Sequence, residues 1–215
     1  MLALIDTAAE ALRREAPVFT RRNLSFAARR AGGTDVGEPA FEAALRRRLA
    51  RGPLPGLLPD RARSKRRPPG RAADDRSPKA VLLVDRRAVL DLFEAMEETA
   101  SAGLAVVCAD GSPSPVVARL ARSFEAGLRA PVLYLHDAAT VVYPFLLEPL
   151  ATLVRCAGDA PIVYRDLGLP PLGAPARRFG DPTLPDDEPI LDLEAVPPAA
   201  LVRYAARAAA HVAAG

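Results

Sequence analysis

The chain has 215 residues and a mass of 22.8 kDa, room for one ample domain or two small ones. Half of it is apolar and 26% is charged, which excludes wholesale disorder. The formal charge of +3 conceals a division: residues 1–79 carry 18 basic and 9 acidic groups, residues 80–215 carry 11 and 17. Of the 29 basic residues only Lys65 and Lys79 are lysines, and 43 residues are alanine. Arginine abundance in such a composition is no nucleic-acid signal by itself. Its clustering in the front part is what predicts two units.

No run approaches the roughly 20 apolar residues of a membrane span. The N-terminus mixes Asp6 and Glu10 into an amphipathic pattern and lacks the basic start and small-residue cleavage site of a signal peptide. Cys108 and Cys156 are too few for a zinc cluster or disulfide framework, and His136 and His211 exclude a multi-histidine metal site. A cytoplasmic protein without membrane contact is expected.

Residues 1–58 read as a small helical domain of helix-turn-helix or winged-helix type. Leu2, Leu4, Ile5, Ala8, Ala9 and Leu12 share one face of a helix over 1–16. Thr20 is placed to N-cap a second helix over 21–31, which Gly32 and Gly33 end. Phe41, Ala44, Leu45 and Leu49 mark a third over 39–50. Residues 59–79 have no apolar period, several prolines and eight basic residues. They read as a linker, with the chemistry of a basic arm able to follow phosphates.

From residue 80 the period changes. Apolar runs at 80–84, 104–108 and 131–135 alternate with helical patterns over 87–102, 116–128 and 141–154. This βαβ succession predicts an α/β fold with a parallel sheet covered on both faces, over residues 80–170. Asp85, Asp110 and Asp137 follow the three strands, at the edge where such sheets place their functional crevice. Their carboxylates suit Mg²⁺, and each is also an ordinary turn former or helix cap. The loop from Asp110 to Ser114 precedes a helix and has the form of an anion cradle, without the glycine and lysine pattern of a nucleotide site. His136 next to Asp137 lacks the further histidines of a histidine–aspartate phosphohydrolase. Residues 171–215 comprise a proline-rich acidic segment and a helix over 199–213.

These residues resemble the Toprim domain, in the version found in topoisomerase VI A subunits. Asp85 stands at the end of the first strand, where the family usually has Glu; Gly111, Ser112 and Pro113 with Arg119 match the loop and helix after the second strand. Asp137 ends the third strand, but Ala139 replaces the second acid of the family's Asp-x-Asp motif. Asp166, Leu167 and Gly168 are similar to a segment that follows the Toprim core. In the front part, Thr20, Arg21, Arg22, Asn23, Leu24, Ser25 and Phe26 resemble the segment that ends in the family's nucleophilic tyrosine.

Phe26 has no hydroxyl, so attack on phosphorus from that position is excluded, and Ser25 lies in a predicted helix without an evident base. The resemblance therefore implies a winged-helix plus Toprim protein with degraded catalytic motifs, binding Mg²⁺ weakly if at all. Arg21, Arg22, Arg29, Arg30, Arg46, Arg47, Arg48 and Arg119 are the expected DNA-phosphate contacts. It further implies a homodimer and an ATPase partner subunit. Two other functions stay open at this point: a Mg²⁺-dependent DNA or RNA phosphodiesterase on Asp85, Asp110 and Asp137, and a protein-interaction module without DNA affinity.

Overall fold

A computed structural model describes residues 1–32, 36–59, 78–109, 114–137, 147–169 and 192–213. Helices α1 (Leu2–Glu15), α2 (Arg21–Gly32) and α3 (Glu38–Leu49) form the front unit. The start of α2 is fixed by reciprocal capping. The Asn23 N–H donates to Thr20 Oγ1 at 3.1 Å, and the Thr20 N–H donates to Asn23 Oδ1 at 2.8 Å. Ile5, Leu12, Phe19, Leu24, Phe41, Leu45 and Leu54 pack into a core belonging to this unit. Its only β pairing among the described residues is an isolated bridge between Phe19 and Leu57, so these residues hold no hairpin wing. The turn before that bridge requires Gly56, which has φ +85° and lies against the Phe19 ring and the Pro17 carbonyl.

The second unit runs β1 (Ala80–Val84), α4 (Arg87–Glu94), α5 (Glu97–Ser101), β2 (Leu104–Cys108), α6 (Pro115–Glu125), β3 (Val132–Leu135), α7 (Glu148–Cys156) and β4 (Tyr164–Asp166). A 3-10 turn, Leu193–Ala195, and helix α8 (Pro198–Ala213) complete it. The strands are all parallel, in the order β2-β1-β3-β4, and the fold is α/β as the apolar runs predict. All five residues of β1 are buried, and alternate ones supply two cores. Val81 and Leu83 join Val132, Tyr134, Phe124 and Leu153 beneath α6 and α7. Leu82 and Val84 join Leu133, Leu135, Phe93, Val202 and Ala205 beneath α4 and α8.

The predicted helix over 87–102 is two helices. Met96, between them, has extended backbone (φ −103°, ψ 121°) and a side chain only 2% exposed. The break turns Met96 into the core, and no glycine or proline announces it. Helix α6 begins at Pro115, where Ser114 Oγ accepts the Val117 N–H, and ends three residues early. The helix predicted over 141–154 appears as α7, with residues 138–146 outside the described set. Strand β4 was not foreseen: it is three residues long and exposed, and lacks an apolar run. Residues 60–77, most of the predicted linker, and 170–191, most of the proline-rich segment, also lie outside the described residues. Among the described residues no helix is long and apolar enough to cross a membrane.

Candidate functional site

Register brings the strand ends level. Val84 pairs with both Cys108 and Leu135, so Asp85 and the His136–Asp137 pair leave the sheet at one edge. Asp110 and the loop to Pro113 lie outside the described residues. Two acids absent from the expected set, Asp192 and Glu194, arrive at this edge on the 3-10 turn and are 4% and 3% exposed. In their midst is Arg86. Its guanidinium pairs with Asp137 Oδ2, with Asp192 Oδ2 at 2.8 Å and with Glu194 Oε2 at 3.4 Å.

The remaining valences of these acids are used. Asp137 Oδ1 accepts the Leu193 N–H at 2.7 Å, and Asp192 Oδ1 accepts the Glu194 N–H at 2.8 Å. Asp192 Oδ2 also meets Arg22 at 2.6 Å, and Glu194 Oε1 accepts the Thr20 hydroxyl. A buried carboxylate is tolerated when a counter-charge and donors replace its water, and here Arg86 supplies most of that charge.

Burial works to strip the Arg86 proton, but Asp192 and Asp137 outweigh it and hold the guanidinium above its ordinary range. Burial, reinforced by Asp192 and opposed by Arg86, pushes Asp137 up to about 7. Burial likewise raises Asp85 and Glu194. An acid raised on folding takes up a proton as the chain folds. The stability tied to Asp137 is therefore complete below its ordinary 3.8 and is lost as pH rises towards about 7.

Among the described residues, which do not include Asp110, the carboxylates expected to hold Mg²⁺ are engaged otherwise. Both Asp137 oxygens are occupied, Arg86 already supplies a cation to the cluster, and no three His, Cys, Asp or Glu side chains among the described residues are grouped to hold a metal ion. The Asp85 Oδ1 atom is buried without a hydrogen-bond partner among the described residues. His136 is a packed part of the same edge. Its Nδ1 lies 2.8 Å from the Asp137 carbonyl, to which it donates, and Nε2 lies 2.8 Å from Asp166 Oδ1. Gly168 lies against the imidazole so closely that an added Cβ would sit 2.2 Å from Cε1.

The arginines expected to reach phosphate divide into two groups. Arg21 pairs with Glu42, Arg22 with Asp192 and Arg29 with Glu38. Arg30 donates to the Ala195 carbonyl at 3.0 Å, and Arg48 bonds Asp6 and the Gly52 carbonyl. Arg46 and Arg47, in the last turn of α3, and Arg119 on α6 are exposed, as are the paired Arg22 and Arg30. Phe26 is 6% exposed and joins the core beneath α4 and α8, with Arg22 and Arg29 about its ring at 5.8 and 6.0 Å. Ser25 is buried and bonds Glu38. None of the described tyrosines, Tyr134, Tyr164 and Tyr204, lies in the front unit.

Sequence reasoning found Asp85 and Asp137 and missed Arg86, Asp192 and Glu194. The available signals were weak: a basic residue directly after the first strand's acid, and acids alternating with leucine over 191–194. No family model, no curated protein and no solved structure matches the chain.

Proposed function

We propose that this chain is a catalytically impaired protein resembling the topoisomerase VI A subunit, associated with DNA and without strand-cleaving activity of its own. The observation that carries the reading is Arg86 among Asp137, Asp192 and Glu194. A side-chain cation there pairs with carboxylates of the kind a metal-dependent enzyme keeps for its ion. The second support is Phe26, buried and without a hydroxyl where the resembled family has its nucleophile. The Toprim-like unit then serves as a scaffold in the cytoplasm, and the resemblance extends the proposal to a homodimer and an ATPase partner subunit.

DNA association rests on the exposed Arg46, Arg47 and Arg119 and on the eight basic residues of 59–79. Anisotropy of a labelled duplex should show sequence-independent binding that weakens steeply between about 50 and 200 mM salt. Replacing Arg46 and Arg47 together by alanine should reduce the log–log salt slope by roughly 2, about 0.9 for each lost phosphate contact. Absence of binding, or binding indifferent to salt, would replace this reading with the protein-interaction module.

A further inference from the structure

The two units meet through a seam that is mostly polar. Each has its own core, and among the described residues the front unit adds the buried Ala16 and Phe26, with partly buried Val18 and Leu58, to the core of the other. Much of the rest of the seam is made by residues Asp192 to Ala195, which lie along α2. Asp192 takes Arg22 at 2.6 Å, the Glu194 carboxylate takes the Thr20 hydroxyl, the Glu194 carbonyl takes Asn23 Nδ2 at 2.6 Å, and the Ala195 carbonyl takes Arg30. On the other side Asp137 holds the Leu193 N–H, and Arg86 ties Asp192 and Glu194 to the sheet. An open cleft of about 400 Å³ runs beside it, sharing Thr20, Arg22 and Glu194 as wall residues.

We infer that residues 192–195 form a clasp that holds the front unit closed over the carboxyl edge of the sheet in an autoinhibited state of low DNA affinity. The inference rests on the DNA association proposed above. Polar seams between units that have separate cores favour relative motion. Closure also pairs two exposed guanidinium groups, Arg22 and Arg30, with acceptors of the clasp, which compete with phosphate for them. Opening the clasp frees both from those acceptors, on the unit that also carries Arg46 and Arg47. The ligand favouring the open state is a polyanionic duplex backbone, which competes with Asp192 and the Ala195 carbonyl for those two side chains.

The test uses the full chain with Thr20→Val, which changes no charge, and Asp192→Asn. Glu10→Gln on the exposed face of α1 controls for the loss of one negative charge away from the clasp. Hydrogen exchange reports opening, and anisotropy with the same duplex reports affinity. Both clasp variants should exchange faster in α2 and bind DNA on the order of tenfold tighter, with a salt slope steeper by roughly 2, while Glu10→Gln matches the wild type. Faster exchange with unchanged affinity overturns the autoinhibitory role, and unchanged exchange overturns the clasp itself. If no variant and no wild-type protein binds DNA, the DNA-associated reading and the autoinhibitory role fall together, and exchange alone then decides whether the clasp holds the units.

Discussion

Arg86→Met is expected to lower the unfolding free energy by about 3 kcal/mol near neutral pH, the low end of the range for removing one partner of a buried ionic cluster. The low end applies because 30% of the Arg86 side chain reaches solvent, whereas Asp137, Asp192 and Glu194 are nearly enclosed. Methionine keeps most of the volume, so the loss reports uncompensated charge rather than a cavity. In a chain of this size the melting temperature should fall by roughly 6–12 °C.

The pH dependence separates this account from a general packing defect. Asp137, raised to about 7, takes up a proton as pH falls, and burial raises Glu194 in the same direction. The penalty of the variant should therefore shrink between about pH 8 and about pH 6, and the wild type should itself gain stability over that interval. Urea unfolding at the two pH values measures both. A loss below about 1 kcal/mol, or one equal at both pH values, would contradict the role given to Arg86.

Gly168→Ala should be of comparable size. The added methyl carbon would lie 2.2 Å from His136 Cε1 and 2.6 Å from Nε2, and the ring is held by the Asp137 carbonyl and Asp166 and is only 1% exposed. Overpacking against a ring that cannot swing away costs about 3 kcal/mol. In a His136→Ala background the three atoms nearest that methyl group, all of the imidazole, are gone, so most of its cost should vanish. A double-mutant cycle by urea denaturation gives the coupling directly. Equal costs in the two backgrounds would show that Gly168 is required for another reason.

Local pattern made much of the fold legible. β1 and β2 lie where continuous apolar runs place them; β1 is buried on both faces and needs no polar alternation, while β2 at the sheet edge is half-buried over its three central residues. The break at Met96 was hidden because burial of one side chain, and not a helix-breaking residue, causes it. β4 was hidden because Tyr-Arg-Asp on an exposed edge follows no hydrophobic pattern and is defined only by its pairing with β3.

The site divides in the same way. Asp85 and Asp137 were found because a residue after a parallel strand faces the functional edge whatever the rest of the chain does. Arg86 is followed directly by Arg87 and carries no local mark of its role. Its partners are 51, 106 and 108 positions away, and no local spacing reports such a cluster. Thr20 shows both cases in one side chain. Its capping role was readable at three residues' distance, whereas its bond to Glu194 spans 174.

Incubating supercoiled plasmid with the full chain in Mg²⁺, and separately in Mn²⁺, is the most direct test of the claim that this edge is an internally paired scaffold. The plasmid should remain supercoiled, with no protein attached to a DNA end. Nicking or linearisation that requires the metal and disappears in Asp137→Ala would contradict the account and establish the metal-dependent phosphodiesterase in its place.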